Sequence, residues 1–406
     1  LIRGVEPIFQ PVFAGIVAAI TGFASSFVLV IAGMHAVGAS DAQAASALLA
    51  LCLLVGLTCI VVPAVFKIPI SFAWSTPGAA LLVAAGGTTH NFGAAVGAFL
   101  VCGVLIVLTG LWPALGRAIT SIPKPIASAM LAGILFPICL APVTAAVEQP
   151  LLAIPVIVVW LVLMRFAARW AVPAAMVVAA IGIALTAGTD WLTASTSSPA
   201  LVFTAPTFDA AVIVSLALPL FIVTMAGQNV PGFVVLSTFG YRPSPRPILV
   251  TSGLATVAGS VFGAHSINLA AITAALMASP EAHPQKSKRW IATLSSGVVY
   301  LVLGLGAGFA AALVAASPPI LITAVAGLAL LGALVTSITG ALDDPRHRIT
   351  AITTFLVTAS GISILGIGSA FWGLAVGGVI MLWLGGLRRH TPTPTDAPRA
   401  EPLVGP

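Results

Sequence analysis

The sequence predicts an all-α polytopic membrane protein, with fourteen transmembrane segments in a seven-plus-seven inverted repeat and the third and tenth segments broken. Three observations carry this. Of the 406 residues, 59% are hydrophobic and only 6% charged, against about 25% charged in soluble domains. Apolar runs of about 20 residues recur along the chain, each long enough to cross a hydrocarbon core of about 30 Å. None shows the period-two alternation of a transmembrane barrel strand.

Apolar runs punctuated by Gly, Pro and charge place the first seven segments at 11–36, 42–63, 70–86, 92–112, 119–140, 149–165 and 171–188. The second seven fall at 209–239, 246–262, 264–280, 289–315, 318–341, 348–366 and 369–387. The repeats are thus 1–188 and 209–388, and the Pro-rich tail 391–406 is expected to be disordered or in part vector-derived. No cleavable signal stands before the first segment, and a chain opening on Leu1 is expected to have its natural start upstream.

Charge orients the chain. With a cytoplasmic N-terminus, the inner loops hold Lys67, Arg117, Lys124, Arg165, Arg169, Arg242, Arg246, Lys286, Lys288, Arg289, Arg346 and Arg348. Arg3, Arg388, Arg389 and Arg399 occupy the cytoplasmic ends, so all 16 Lys and Arg fall on one side. Asp41, Glu148, Asp190 and Asp209 fall outside. The net charge of +6 therefore sets topology and points to no nucleic acid. Both termini are expected in the cytoplasm of a bacterial-type inner membrane. Cys52, Cys59, Cys102 and Cys139 sit in apolar runs without CxxC or His partners and read as packing residues. No metal, cofactor or enzymatic motif is recognisable.

"PIASAMLAG" from Pro125 and "PILITAVAG" from Pro319 share Pro, Ile, Ala and Gly at the same offsets, displaced by 319 − 125 = 194. A unit of seven spans comes out upside down when repeated, the arrangement of many secondary transporters. The broken segments give a similar register. "IPISFAWSTPGAALL" starts its helical pattern near Thr76, with Pro77 at the favoured first position. "GAHSINLAAITAALM" is expected to start near Asn268 as a cap, and 268 − 76 = 192. The stretches Ile70–Ser75 and Gly263–Ile267 are expected to be extended. Two half-helices starting at the midplane would face each other across a pocket suited to an anion, each with free N–H groups and partial positive charge.

Span eight carries Gln228, Asn229 and Pro231 mid-membrane, flanked by Met225 and Gly232. The two amides donate to a ligand, hold the extended stretches, or make ordinary helix–helix bonds; all three readings stay open. Candidate binding residues are Gln228, Asn229, Asn268, Ser266, His265, Ser75, Thr76 and Met225, with Phe72, Trp74, Phe23 and Phe27 as ring contacts. Intramembrane titratable groups are few: His265, and His35 near the outer end of span one.

The stretch "TMAGQNVPGFVVLSTFGYRPSPRPILVTSGLATVAGSVFGAHSINLAAIT" resembles the benzoate:proton symporter family, and "KIPISFAWSTPGAALL" supports the likeness, which extends over nearly all of 1–390. That family is similar in fold to nucleobase and sulfate transporters. The resemblance implies a core domain of segments 1–4 and 8–11, a gate domain of segments 5–7 and 12–14, and short antiparallel strands in segments 3 and 10. It implies import of benzoate or a similar aromatic monocarboxylate with protons; a nucleobase or sulfate-type carrier is the alternative. Nucleobase carriers place carboxylates near Gln228 and Asn268, where this chain has amides, and that departure favours an anion. The expected partners are a small aromatic carboxylate, protons and the lipid bilayer; the oligomeric state stays open, a homodimer included.

The charge map yields a direct expectation. In a cysteine-free background, cysteines at Ala145 and Gly188 react with an impermeant thiol reagent from outside, and one at Ser244 does not. The reverse pattern overturns the topology.

Overall fold

Helices start and end close to most of the expected apolar runs in the computed structural model, which describes residues 9–86, 89–112, 114–116, 122–187 and 200–386. Arg3, Arg117, Gly188, Asp190, Arg388, Arg389, Arg399 and the tail 391–406 lie outside the described residues. In chain order the first half comprises α1 (Phe9–Ala24), α2 (Phe27–Ala36), α3 (Asp41–Phe66), β1 (Phe72–Trp74), α4 (Thr76–Ala84), α5 (Phe92–Leu111), α6 (Lys124–Glu148), α7 (Pro150–Phe166) and α8 (Ala168–Ala187). The second comprises α9 (Ala210–Thr238), α10 (Pro245–Ser260), β2 (Ile267–Leu269), α11 (Ile272–Ala278), α12 (Trp290–Gly304), α13 (Ala307–Ala315), α14 (Pro319–Leu342), α15 (Arg348–Ala359), β3 (Ser363–Ile364), β4 (Ile367–Gly368) and α16 (Ser369–Gly386).

Several local departures have physical causes. Span one is broken between α1 and α2, where Ser25 and Ser26 both donate their hydroxyls to the Gly22 carbonyl (2.9 Å each) and so compete with the helical backbone bonds. The fifth segment runs on to Glu148 rather than ending near residue 140, because Pro137 and Pro142 are absorbed inside α6. Span eleven bends by 57° between α12 and α13, where Leu305 and Gly306 N–H groups turn to carbonyls three residues back. The thirteenth segment ends at Ala359 rather than residue 366. Gly361 takes a left-handed conformation (φ 65°) and Leu365–Gly366 (φ 55° and 76°) close a two-residue hairpin between β3 and β4.

Lipid gives helices no hydrophobic reason to associate, so close backbone approach must hold them together. α3 packs on α12 and α5 on α10, each pair through facing glycines. A methyl group at Gly297 would stand 2.7 Å from the Gly56 carbonyl oxygen, and one at Gly253 2.8 Å from that of Gly103. α6 packs on α14, where a Cβ at Gly327 would run into the Ile138 carbonyl. A strap at 200–209 crosses the ends of these helices: Val202 N–H donates to Ser46 Oγ, Thr204 N–H to the Val261 carbonyl and Thr207 N–H to that of Gly93. The four cysteines are free and buried.

At the centre, β1 and β2 pair antiparallel in the register Phe72↔Leu269, Ala73↔Asn268, Trp74↔Ile267. Ser75 N–H to Ser266 O (3.2 Å) and Ala270 N–H to Ser71 O (2.9 Å) extend the ladder at both ends. This corrects the expected second half-helix. Asn268 caps nothing; it lies within β2, and α11 begins at Ile272. Extension through Leu269 is what gives Phe72–Trp74 a pairing partner. The displacement between helix starts becomes 272 − 76 = 196.

Two expectations follow from the packing. Ala145 is fully buried, so the outer thiol reporter belongs at exposed Gln149 rather than Ala145. Gly253→Val or Gly297→Val should lower the thermal stability of the purified protein, overpacking costing about 1–3 kcal/mol. Gly332→Ala, with nothing within 4 Å, should not; equal stabilities for all three contradict the glycine contacts.

Candidate functional site

Pro231 does not break span eight. Instead, Met225–Asn229 forms a π-helical turn in which Val230 N–H reaches back five residues to the Met225 carbonyl. A second π turn, Ile213–Ala217, precedes Pro219 in the same way. Proline lacks an N–H and its ring crowds the carbonyl four residues back; a wider preceding turn relieves that clash and keeps the helix continuous.

The two amides in the second π turn take different parts. Asn229 is fully buried: its Oδ1 accepts the Leu269 N–H of β2 at 2.9 Å and its Nδ2 donates to Met225 Sδ at 3.2 Å. It is thus tied to the strand pair, and Met225, also buried, orients it. Gln228 is half-buried, and its side chain makes no hydrogen bond among the described residues. Its neighbour Gly227 faces Leu131 of α6, whose Cδ2 lies 3.5 Å from the glycine's Cβ position. Thr76, at the start of α4, is likewise half-buried.

Behind the strands lies a knot of hydroxyls. Thr224 Oγ1 stands 3.2 Å from Ser75 Oγ and 3.1 Å from Ser266 Oγ. Ser75 Oγ also accepts the Gly78 N–H at 3.0 Å, capping α4. His265 is fully buried, its Nε2 2.9 Å from the Ser75 carbonyl and its ring edge-on to Phe99. A carbonyl only accepts, so Nε2 carries the proton in this bond and Nδ1 is left as an acceptor, without a partner among the described residues. Asn268 Nδ2 donates to the Leu269 carbonyl, and its buried Oδ1 has no partner among the described residues. His35 stands apart near the end of α2, between the Ala39 carbonyl (3.1 Å) and Asp41 (3.6 Å).

The aromatic candidates divide as well. Phe23 stacks on Phe27 (5.0 Å) and meets Trp74 edge-on (6.0 Å). Trp74 is held by Nε1–H to Ser26 Oγ (3.0 Å), which explains why span one breaks beside it. Phe72 is 1% exposed and its backbone is bonded to Cys59 Sγ, a core position. Sequence reading missed Thr224, one of four hydroxyls in α9, and Tyr300 of α12, whose ring meets Trp74 edge-on at 5.6 Å. Only two tyrosines occur in the chain, and a lone one mid-span was the available signal. A separate cavity of about 400 Å³, lined by Thr89, Asn91, Thr207, Asp209 and Gly366 among others, shares no residue with this site.

Residues 8–382 match the family model described as BenE, benzoate membrane transport protein. The chain is 41% identical over 368 residues to the inner membrane protein YdcO of Escherichia coli (strain K12), covering 90% of this chain and 93% of that protein. It is 35% identical over 320 residues to the benzoate membrane transport protein of Acinetobacter baylyi (strain ATCC 33305 / BD413 / ADP1), covering 77% and 79%. Among solved structures, the transmembrane domain of the cyanobacterial bicarbonate transporter BicA is similar at TM-score 0.53 and 16% identity, covering 95% of this chain and 98% of that one. The murine anion transporter Slc26a9, in its inward-facing state, gives TM-score 0.61 at 14% identity, covering 94% and 69%. Both likenesses concern the fold.

The division between the amides is testable. Asn229→Ala strands the buried Leu269 N–H, a loss of about 1–3 kcal/mol, and should lower the unfolding temperature of the ligand-free protein. Gln228→Ala should leave it unchanged. Equal destabilisation by both contradicts the geometry.

Proposed function

The chain belongs to the benzoate membrane transport protein family, and on that premise we propose that it imports benzoate or a similar aromatic monocarboxylate together with protons. It is a membrane transport protein of that family and not an enzyme. The observation that carries the substrate reading is Gln228, an amide free to bond, half-buried beside the strand pair. Every described Asp and Glu, by contrast, lies at a helix end or in a loop. An apolar wall with a few convergent polar groups suits an aryl carboxylate, and Phe23 and Trp74 supply the adjoining ring surface. The ligand lies between Thr76 and Gln228, with Asn229, Asn268, Ser75, Ser266 and His265 holding the strands in place rather than meeting it.

The architecture in this reading is fourteen crossings in two inverted repeats. Support comes from the glycine contacts: Gly56 meets Gly297 while Gly253 meets Gly103. The displacements are 253 − 56 = 197 and 297 − 103 = 194, so each pair is the image of the other. α6 packs on its own mate α14, and α7 on α8 as α15 on α16. Segments 1–4 and 8–11 form the core around the strands; segments 5–7 and 12–14 form the gate, meeting the core where Leu131 faces Gly227. Both termini are cytoplasmic.

A monoanion entering a negatively charged cell works against about 2.3 kcal/mol per 100 mV, and one proton per substrate cancels that charge. The proton travels with the bound carboxylate. His265 already spends its Nε2–H on the Ser75 carbonyl and serves as a scaffold. The fold neighbours are anion transporters, so a sulfate-type carrier is the second reading, separated by competition among benzoate, sulfate and uracil.

Gln228→Ala should weaken benzoate binding by about tenfold or more, the scale of a hydrogen bond to a charged group; unchanged affinity removes Gln228 from the site. His265→Gln should still accumulate benzoate under a pH gradient. If that variant binds and exchanges benzoate normally yet no longer accumulates it, His265 is the coupling residue.

A further inference from the structure

We propose that the Tyr300 hydroxyl is a substrate-binding donor for the carboxylate, and that Gly22 keeps the space in front of it open. The inference rests on the benzoate reading above and adds a group from span eleven to the site.

Tyr300 is 4% exposed, and its hydroxyl makes no hydrogen bond among the described residues. Its oxygen is not among the fully enclosed unbonded atoms and so keeps some open surface, whereas a fully buried phenol normally finds a partner within the protein. The ring is held in place: Trp74 meets it edge-on at 5.6 Å, and Trp74 is itself tethered to Ser26 Oγ and flanked by Phe23. The hydroxyl ends where three elements converge. A Cβ built on Gly22, at the end of α1, would lie 2.8 Å from Tyr300 Oη and 3.4 Å from Thr273 Cγ2 in α11. The Gly22 carbonyl itself already takes the hydroxyls of both Ser25 and Ser26. A donor is therefore held in place without an acceptor among the described residues. An ionised carboxylate accepts only, and the aryl group attached to it has Phe23 and Trp74 as neighbouring walls.

The glycine belongs to the same device. Any side chain at position 22 enters the volume beside the phenol oxygen, so the residue at the break of span one sets how closely a ligand approaches Tyr300. A packing role alone would need the ring and not the oxygen.

The test compares wild type, Tyr300→Phe and Gly22→Ala in detergent, by titration with benzoate and by ligand-free thermal unfolding. The wild-type titration examines the benzoate reading by itself; no binding there overturns that reading and this assignment with it. With wild-type binding in place, Tyr300→Phe should raise the Kd for benzoate about tenfold or more and leave the ligand-free unfolding temperature unchanged. Gly22→Ala should weaken binding in the same direction. A Kd for Tyr300→Phe within about twofold of wild type overturns the proposal. So does a lower ligand-free unfolding temperature for that variant, which would mean the hydroxyl bonds within the protein.

Discussion

Backbone polar groups at membrane depth must find partners inside the protein, and the organisation of this molecule follows from that constraint. Two segments give up helix near their centres, at Phe72–Trp74 and Ile267–Leu269, and each is satisfied by the other. The pairing is short, so side chains finish it. Asn229 takes the Leu269 N–H, Thr256 the Ile267 N–H, Ser252 donates to the Ile267 carbonyl, and His265 donates to the Ser75 carbonyl. Buried hydroxyls and amides in hydrocarbon are costly unless bonded; here Asn229, Thr256 and Ser252 offset that cost by completing a two-stranded ladder.

Against the groups spent on the ladder, two unbonded ones stand out near the strands. Gln228 adjoins Asn229 in sequence but not in role: the π turn before Pro231 sends one amide to the strand and leaves the other unbonded among the described residues, next to Gly227, which faces α6. The phenol of Tyr300 is left over on the span-one side. The glycine contacts that bring α3 to α12 and α5 to α10 build a frame around the strands without hydrophobic drive.

Much of this was legible in the sequence, and the misses have identifiable causes. Apolar run length located the helices, and Pro77 with its neighbours located the start of α4. Asn268 looked like a cap because Asn is a good one, yet the strand partner it needed lies 195 positions away at Ala73, and no local propensity reports that. The eighth segment reads as continuous despite Pro231, but its widening to a π turn is not visible in composition. Tyr300 escaped because its neighbours Trp74 and Gly22 are brought to it only by tertiary packing.

Carriage of an aryl carboxylate with a proton is the central claim, and proteoliposomes holding the purified protein test it most directly. With the outside made acidic and the voltage clamped to zero, labelled benzoate should accumulate above its equilibrium level, saturably and beyond protein-free liposomes. Collapse of the pH gradient should release it. Accumulation driven by voltage alone and indifferent to pH, or uptake equal to that of protein-free liposomes, would contradict the account.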